Sequence, residues 1–235
     1  MKVLEGKNIT KSYDGTAIIE DVSLYVNEGE IVALLGVSGV GKSTLFNIMS
    51  GLEKPDEGDV YLEGKCITGN AGHIGYMQQN DLLLHFKTII KNVMIPLSLS
   101  GVNKKEAYER AFSQLSEFGL SQYKDMYPDE LSGGMRQRVS LARTFLYGKS
   151  VMLMDEPFSA LDAITRRDMQ TWFKEKAKGK NIASLLITHD IDEALLLADR
   201  IYVLAGSVGR IVLEVEKTQN TDAEKLKKII LEKVR

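Results

Sequence analysis

The sequence has little of what disulfide-rich, fibrous or membrane-spanning proteins need. Cys66 is its only cysteine, which excludes an internal disulfide and a cysteine-rich metal site. No stretch approaches the roughly 18 consecutive apolar residues of a membrane-spanning helix. The first residues, Met1 to Glu5, place an acid where a secretory leader would need an apolar run, so we expect no leader. A reducing, cytoplasmic setting fits, and any membrane role is expected to come through partners.

An excess of one charge is also missing. The 30 basic and 32 acidic residues leave a net charge of -2, so the chain lacks the basic excess that binding to a nucleic-acid backbone requires. The charge balance therefore does not indicate a nucleic-acid partner. What the chain does have is 235 residues, 44% of them apolar, enough for a well-buried core in one large domain over residues 1–235.

Short apolar runs alternate with helical patterns along the chain, which predicts an α/β fold. The runs Ile31–Leu35 and Val151–Met154 do not alternate with polar residues, as expected for strands buried on both faces of a mostly parallel sheet. The predicted strands are Val22–Val26, Glu30–Leu35, Val60–Leu62, Ile74–Met77, Val151–Met154, Ser184–Ile187 and Ile201–Leu204. The predicted helices are Lys42–Ser50, Lys104–Phe118, Gly134–Leu146, Ala163–Ala177 and Ile191–Ala198.

The patterns divide the chain into four parts. Short alternating strands in the first sixty residues, closed by turns such as Tyr13-Asp14-Gly15, predict an antiparallel flap beside the main sheet. Residues 80–149 carry helical patterns without strands and are predicted to form an inserted helical subdomain. The core is then expected over residues 1–79 and 150–220, followed by a capped amphipathic helix over residues 221–235.

A glycine-rich loop follows the buried strand that ends at Leu35. Its residues are Gly36, Val37, Ser38, Gly39, Val40, Gly41, Lys42, Ser43 and Thr44, a full match to the G-x-x-x-x-G-K-[ST] phosphate loop between a strand and a helix. Such a loop turns backbone N–H groups and a helix N-terminus toward phosphate oxygens. Lys42 is expected to reach the outer phosphates of a nucleotide, and the Ser43 hydroxyl to ligate Mg²⁺. A chance glycine-rich turn is the alternative interpretation.

Acidic residues follow a second buried strand, and a histidine follows a third. Because ligands of open α/β sheets bind at the carboxyl ends of strands, Asp155 and Glu156 are expected to face the phosphate loop. Asp155 would hold Mg²⁺ and Glu156 would orient or deprotonate a water molecule. His189 could contact the γ-phosphate and that water. The alternative is a strand that ends in two solvated acids and a structural histidine.

The octapeptide from Leu131 to Arg138, with Ser132, Gly133 and Gly134 at a helix start, completes a set of motifs that resembles the ABC ATPase family. A serine and two glycines at a helix start form a second anion site, although they could also form a simple capping turn. In the family this signature closes over ATP held by the other protomer. The resemblance therefore implies a head-to-tail homodimer with two ATP molecules at its interface.

Other family elements match single positions of this chain. The resemblance implies that Tyr13 stacks on adenine and that Gln79 contacts Mg²⁺ and the water while sensing a membrane subunit. Gln78 is the alternative for that glutamine, although Tyr76 three residues before Gln79 matches the family wording Tyr-x-x-Gln. The segment Ser159 to Asp162 matches the loop that crosses the dimer interface, and His189 matches the switch histidine.

The detailed residue choices in the octapeptide, in residues 155–162 and in residues 79–84 are similar to those of ATPases of nitrate, sulfonate, taurine and thiamine-precursor importers. That resemblance implies transmembrane permease partners, an indirect link to a solute-binding protein, and a peripheral place on the cytoplasmic face of the membrane. The segment His85-Phe86-Lys87-Thr88 departs from the Pro-Trp-Arg-Thr of many relatives and leaves the substrate open. The alternatives are an exporter or lipid-extraction ATPase, a non-transport ABC protein, and a plain phosphate-loop GTPase or kinase.

Overall fold

A computed structural model describes residues 1–218 and 221–234 of the chain. The strands are β1 (Lys2–Tyr13), β2 (Thr16–Asn27), β3 (Ile31–Leu35), β4 (Glu57–Leu62), β5 (Lys65–Cys66), β6 (Gly75–Met77), β7 (Val151–Asp155), β8 (Ala183–Ile187), β9 (Arg200–Ala205) and β10 (Arg210–Glu216). The helices are α1 (Lys42–Met49), α2 (Ile89–Leu99), α3 (Lys104–Glu117), α4 (Gly133–Leu146), α5 (Ala163–Gly179), α6 (Ile191–Leu197) and α7 (Ala223–Val234). Arg235, the last residue of the predicted terminal helix, and residues 219–220 of the predicted core lie outside the described residues.

The main sheet has six strands in the order β10-β9-β3-β8-β7-β6. Its strands are parallel except for β10, which pairs antiparallel with β9. Every residue of β3, β7 and β8 is buried, because apolar layers cover both faces of the sheet. The predicted α/β fold with a mostly parallel sheet is therefore confirmed.

Alternate residues of each central strand enter two different cores. Val32 and Leu34 of β3 pack on the side of α1 and the second sheet, whereas Ile31, Ala33 and Leu35 pack on the side of the other helices. This two-sided packing follows from the period of two residues along a strand. The sheet is thereby fixed between two apolar layers.

The second sheet is the predicted antiparallel flap, with the order β2-β1-β4-β5. Its first two strands are not short, as the sequence suggested, but run for 12 residues each. Irregularities in their register break the simple alternation of apolar and polar side chains. Tyr13, the first residue of the predicted turn Tyr13-Asp14-Gly15, is the last residue of β1.

Helices α2, α3 and α4 lie between β6 and β7 in the chain, and no strand occurs among the described residues 78–150. This agrees with an inserted helical region. None of the helices in residues 1–218 and 221–234 has both the length and the apolar character needed to cross a bilayer. The carboxyl ends of β3, β7 and β8 meet at one edge of the main sheet, which brings the loops that follow them together.

Candidate functional site

The phosphate loop joins β3 to α1 and is shaped by its glycines. Gly41 has a φ of +104° immediately before α1 and accepts the first helical hydrogen bond, from the Leu45 N–H at 2.9 Å. Gly36 lies so close to the main sheet that an added Cβ would come within 2.4 Å of the Leu204 carbonyl oxygen. Because these glycines let the backbone turn sharply, the loop forms a cradle ahead of the helix.

Lys42 is held at the mouth of this loop. Its Nζ donates to the carbonyl oxygens of Gly36, at 2.9 Å, and Val37, at 2.8 Å. Burial lowers the pKa of the Lys42 ammonium group, and the charges of Glu156 and Asp155 oppose that effect. The amine is thus directed toward the space where a phosphate would lie.

Ser43 and Asp155 meet across the loop. The Ser43 Oγ donates to Asp155 Oδ2 at 3.0 Å, and burial raises the pKa of the Asp155 carboxyl while this hydrogen bond opposes the rise. Hydroxyl and carboxylate oxygens are ligands that suit Mg²⁺. The described residues contain no group of three or more histidine, cysteine or acidic side chains placed to hold a metal. Mg²⁺ is commonly held by one or two protein oxygens together with substrate phosphates and water.

Glu156 and His189 form the next pair. His189 Nδ1 lies 3.1 Å from Glu156 Oε1, and the Glu156 N–H donates to the Ile187 carbonyl at 3.0 Å, which ties the ends of β7 and β8 together. Glu156 has a φ of +49°, a left-handed conformation that costs a residue with a Cβ roughly 1–2 kcal/mol. The fold therefore holds Glu156 in a backbone conformation that the residue itself disfavours.

Gln137 stabilises that strained position, a role that the sequence did not predict. This buried side chain donates from Nε2 to the Glu156 carbonyl at 2.9 Å and accepts at Oε1 from the Ala160 N–H at 2.9 Å. Gln137 belongs to the octapeptide, but the motif itself does not indicate which groups this side chain contacts. The available signal was its place four residues before Leu141 on the buried face of α4, where a polar side chain needs a partner.

The structure gathers most of the predicted residues around one pocket of about 360 Å³. The pocket is lined by Tyr13, Ile18, Ser38, Gly39, Gly41, Lys42, Ser43, Thr44, Gln79, Asp155 and Glu156. His189 lies in a small neighbouring cavity that Glu156 also lines. Val40 is buried and Val37 is partly exposed beside the pocket.

The two adjacent glutamines point into different spaces. Gln79 lines the phosphate pocket, whereas Gln78 lines a separate cavity of about 500 Å³ between the core and α2. Tyr13 lines the phosphate pocket; the residue is 41% exposed, and its hydroxyl donates to Glu53 Oε1 at 2.6 Å. An aromatic ring at this pocket is available for stacking.

The signature residues do not join this pocket. Ser132 caps α4 by accepting from the Met135 N–H at 3.3 Å, and Ser132 and Gly133 are exposed to solvent. Gly134 packs so closely on the Ala160 carbonyl that an added Cβ would lie 3.1 Å from its oxygen. Of the residues described, none of these three lines the phosphate pocket.

The loop over residues 159–162 lies between the phosphate pocket and the signature residues 132–134. Its last residue, Asp162, caps α5 by accepting from the Ile164 and Thr165 N–H groups at 3.2 and 3.0 Å. The hydrogen bonds with Thr165 lower the pKa of the Asp162 carboxyl. Through Gln137, the same loop is tied to the signature helix.

Comparison with known proteins agrees with these motifs. The family described as "ABC transporter" matches residues 19–159. The formylaminopyrimidine import ATP-binding protein of Halalkalibacterium halodurans is 43% identical over 87% of this chain and 80% of that protein. The taurine import ATP-binding protein of Pseudomonas aeruginosa is 42% identical over 83% of this chain and 74% of that protein.

Solved structures of ATP-binding cassettes share the fold. A nucleotide-free cassette from an ABC transporter superposes with a TM-score of 0.84 at 29% identity, covering 98% of this chain and 96% of the other. A dimeric cassette in a post-hydrolysis state, bound to ADP and Pi, gives 0.82 at 30% identity and covers 91% and 98%. The family resemblance drawn from the motifs is thereby confirmed, and the chain belongs to the ABC transporter family as one of its ATP-binding, ATP-hydrolysing subunits.

Proposed function

We propose that this ATPase powers the uptake of a small organic or inorganic solute. In this proposal it works as a head-to-tail homodimer bound to transmembrane permease subunits, peripheral to the cytoplasmic face of the membrane. A solute-binding protein delivers the cargo to the permease, so its link to this chain is indirect. In this proposal the working parts are a core over residues 1–79 and 150–218, a helical subdomain over 80–149 and the terminal helix α7.

The proposed dimer is supported by one observation: two helix starts suited to binding an anion, those of α1 and α4, are separated within one chain. The phosphate pocket lies before α1, while the exposed Ser132 and Gly133 stand before α4 and outside that pocket. A second copy turned head to tail would place its own Ser132 over the triphosphate. The dimeric cassette with ADP and Pi supports this arrangement.

The residues of the pocket fit ATP as a substrate. Tyr13 offers a partly exposed ring for adenine, and Lys42 offers a cation for the outer phosphates. Ser43, Asp155 and Gln79 are the proposed residues that hold Mg²⁺, since their oxygens line the same pocket. When bound, the metal would neutralise negative charge on the β- and γ-phosphates.

Hydrolysis requires a base and a group that stabilises the γ-phosphate. We assign the base to Glu156, whose carboxylate would accept a proton from water as the water oxygen attacks phosphorus and the bond to the leaving ADP oxygen breaks. His189, 3.1 Å from that carboxylate, would contact the γ-phosphate and hold the water in line. Gln79 would contact the same water.

A surface for the permease lies beside Gln78. The cavity of about 500 Å³ is bordered by Leu52, Leu82 and Leu99, whose exposed fractions are 56%, 53% and 83%. Exposed leucines around a groove are typical of a protein interface. Because Gln78 faces this groove and Gln79 faces the phosphate pocket, a permease segment seated in the groove would act directly on the nucleotide site.

Import is favoured over export by the relatives. Curated proteins named for the import of formylaminopyrimidine, taurine and nitrate are 43%, 42% and 38% identical to this chain over at least four fifths of its length. An exporter, a lipid-extraction ATPase or a non-transport ABC protein would differ in its partner. The partner therefore decides between these readings.

The test is reconstitution with the permease that co-purifies with the chain. We expect ATP turnover in vesicles to rise when one solute of a panel (a formylaminopyrimidine, taurine, an alkanesulfonate and nitrate) is added with its binding protein outside, and labelled solute to accumulate inside. Glu156→Gln should abolish both signals while ATP still binds. Movement of solute out of the vesicle, or stable binding to soluble proteins only, would overturn the importer assignment.

A further inference from the structure

Glu193 is a buried acid that the hydrolysis mechanism leaves without a role. It lies on α6, four residues after His189, with only 7% of its surface exposed. Acids are rarely buried unless they are paired or hydrogen-bonded. The contacts of Glu193 therefore indicate what it holds in place.

The Glu193 carboxylate accepts one direct hydrogen bond and lies beside Thr188 in a small cavity. Gln170 of α5, itself 6% exposed, donates from Nε2 to Glu193 Oε1 at 2.7 Å. Burial raises the pKa of Glu193, and interactions with Thr188 and Gln170 oppose that rise. Glu193 thus connects helix α5 with the turn that carries His189, because its N–H donates to Asp190 Oδ1 at 3.2 Å and its side chain lines the same cavity as Thr188.

Thr188 sets the turn on which His189 stands. Its hydroxyl accepts from the Asp190 N–H at 3.0 Å, so the backbone on either side of His189 is closed into a turn. Asp190 then caps α6 by accepting from the N–H groups of Asp192 and Glu193 at 2.9 and 3.2 Å. Because Glu193 is hydrogen-bonded to Asp190 and shares a cavity with Thr188, a shift of Glu193 would reach His189 through this turn.

The other end of this connection reaches the loop over residues 159–162. Gln170 lies on the helix that Asp162 caps, and Arg166 on the same helix donates from a guanidinium nitrogen to the Leu161 carbonyl at 2.9 Å. A cavity of about 50 Å³ between these parts is lined by Glu156, Phe158, Ser159, Arg166, Thr188, His189, Asp190 and Glu193. The loop and the histidine turn thus line one small cavity.

We propose that Glu193 is a positioning residue that couples the turn carrying His189 to α5, so that His189 and the loop over residues 159–162 move together. Glu193 does not touch the nucleotide in this arrangement and acts only through Thr188 and Gln170. The inference rests on the proposed role of His189 in hydrolysis. It adds a physical link between the interface loop and the γ-phosphate contact of the same chain.

The chain offers a matched control for this link. Lys174 also joins α5 to α6, by donating from Nζ to the Leu196 carbonyl at 2.6 Å, but it lies at the far end of α6 from His189. Lys174→Met therefore removes a connection between the same two helices without touching the turn. Thr188→Ser keeps the hydroxyl on that turn, whereas Thr188→Val removes it.

Steady-state ATP hydrolysis by the full chain with Mg²⁺ is the first measurement. We expect Glu193→Ala and Thr188→Val to lower kcat at least tenfold while the Kd for ATP changes less than twofold, and Lys174→Met and Thr188→Ser to keep kcat within twofold. Gln170→Ala breaks the link from the α5 side and replaces Glu193→Ala if that variant does not fold. A kcat loss no larger than that of Lys174→Met, or a matching loss of ATP affinity, would overturn the proposal.

Side-chain NMR of the histidines tests the positioning without turnover. The chain has three histidines, so the imidazole signals can be assigned with a His189→Gln variant. We expect the His189 signals to shift in Glu193→Ala and Thr188→Val but not in Lys174→Met, while His73 and His85 stay unchanged. Unmoved His189 signals in folded Glu193→Ala protein would refute the link. Wild-type turnover in His189→Ala would instead refute the proposed role of His189.

Discussion

At the scale of single residues, the site depends on backbone conformations that the local sequence alone disfavours. Glu156 is left-handed although it is neither glycine nor asparagine, and Gln137 of helix α4 holds it there. Such strain persists only where the surroundings fix it, and it is common at functional sites. The carboxylate is therefore positioned before any nucleotide arrives.

Gly41 allows a prediction at the same scale. Its φ of +104° strains any residue with a Cβ, and an added Cβ would lie 2.5 Å from Cγ2 of the buried Ile19. We expect Gly41→Ala to lower the free energy of unfolding by about 2–4 kcal/mol. The Kd for ATP should rise at least tenfold because the loop shifts. Urea denaturation and nucleotide titration measure the two effects.

Gly39→Ala is the matched control in the same loop. Gly39 has a φ of +82°, but no heavy atom lies within 4 Å of an added Cβ, so only backbone strain of about 1 kcal/mol is expected. Equal losses of stability in the two variants would show that the contact with Ile19 does not constrain the loop.

At the scale of elements, the sequence predicted best where one property decided the structure. The runs that became β3, β7 and β8 are apolar throughout, and their carboxyl ends had to share one edge of a parallel sheet. The apolar pattern does not predict helix α2, because its apolar residues lie on most sides and Pro96 lies inside it.

The parts of the site that depend on distant contacts could not be read from the chain. The role of Gln137 requires the loop at Glu156 and Ala160 to lie beside α4, which the sequence of α4 does not reveal. The choice between Gln78 and Gln79 likewise required the directions of two adjacent side chains after β6. Local patterns set the elements, whereas packing sets which side chains meet.

Asn92 shows how one buried side chain of α2 fixes the loop that precedes this helix. This fully buried side chain donates from Nδ2 to the carbonyl oxygens of Leu84, Lys87 and Thr88 at 3.0–3.1 Å and accepts from the Leu84 N–H at 2.7 Å. It therefore fixes residues 84–88, which include the segment 85–88 that departs from the family wording, before α2.

We expect Asn92→Leu to lower the free energy of unfolding by about 2–4 kcal/mol, because it leaves backbone groups of residues 84–88 without partners. Ser98→Ala on the exposed side of α2 removes a hydroxyl that bonds the Met94 carbonyl and should cost less than about 1 kcal/mol. Urea denaturation compares them. If Asn92→Leu is as stable as Ser98→Ala, the network does not fix the segment.

At the scale of the whole molecule, the proposed head-to-tail dimer would build each nucleotide site from two chains. Lys42 lies in the phosphate pocket, and Ser132 is exposed outside it. Two variants, one without Lys42 and one without Ser132, should therefore restore a nucleotide site when mixed only if these two residues meet between chains. A site contained within one chain could not be restored by mixing.

In a Glu156→Gln background, which blocks hydrolysis, we expect a tagged Lys42→Ala chain and an untagged Ser132→Glu chain to pair only when mixed with ATP. Each such pair retains one intact site, built from Lys42 of one copy and Ser132 of the other, and should keep one nucleotide through desalting. A tagged chain carrying both substitutions, mixed with an unsubstituted chain, is the control, because every site in that pair is broken. Tag capture with nucleotide analysis measures both mixtures. Equal capture in the two mixtures, or none in the first, would contradict the head-to-tail arrangement.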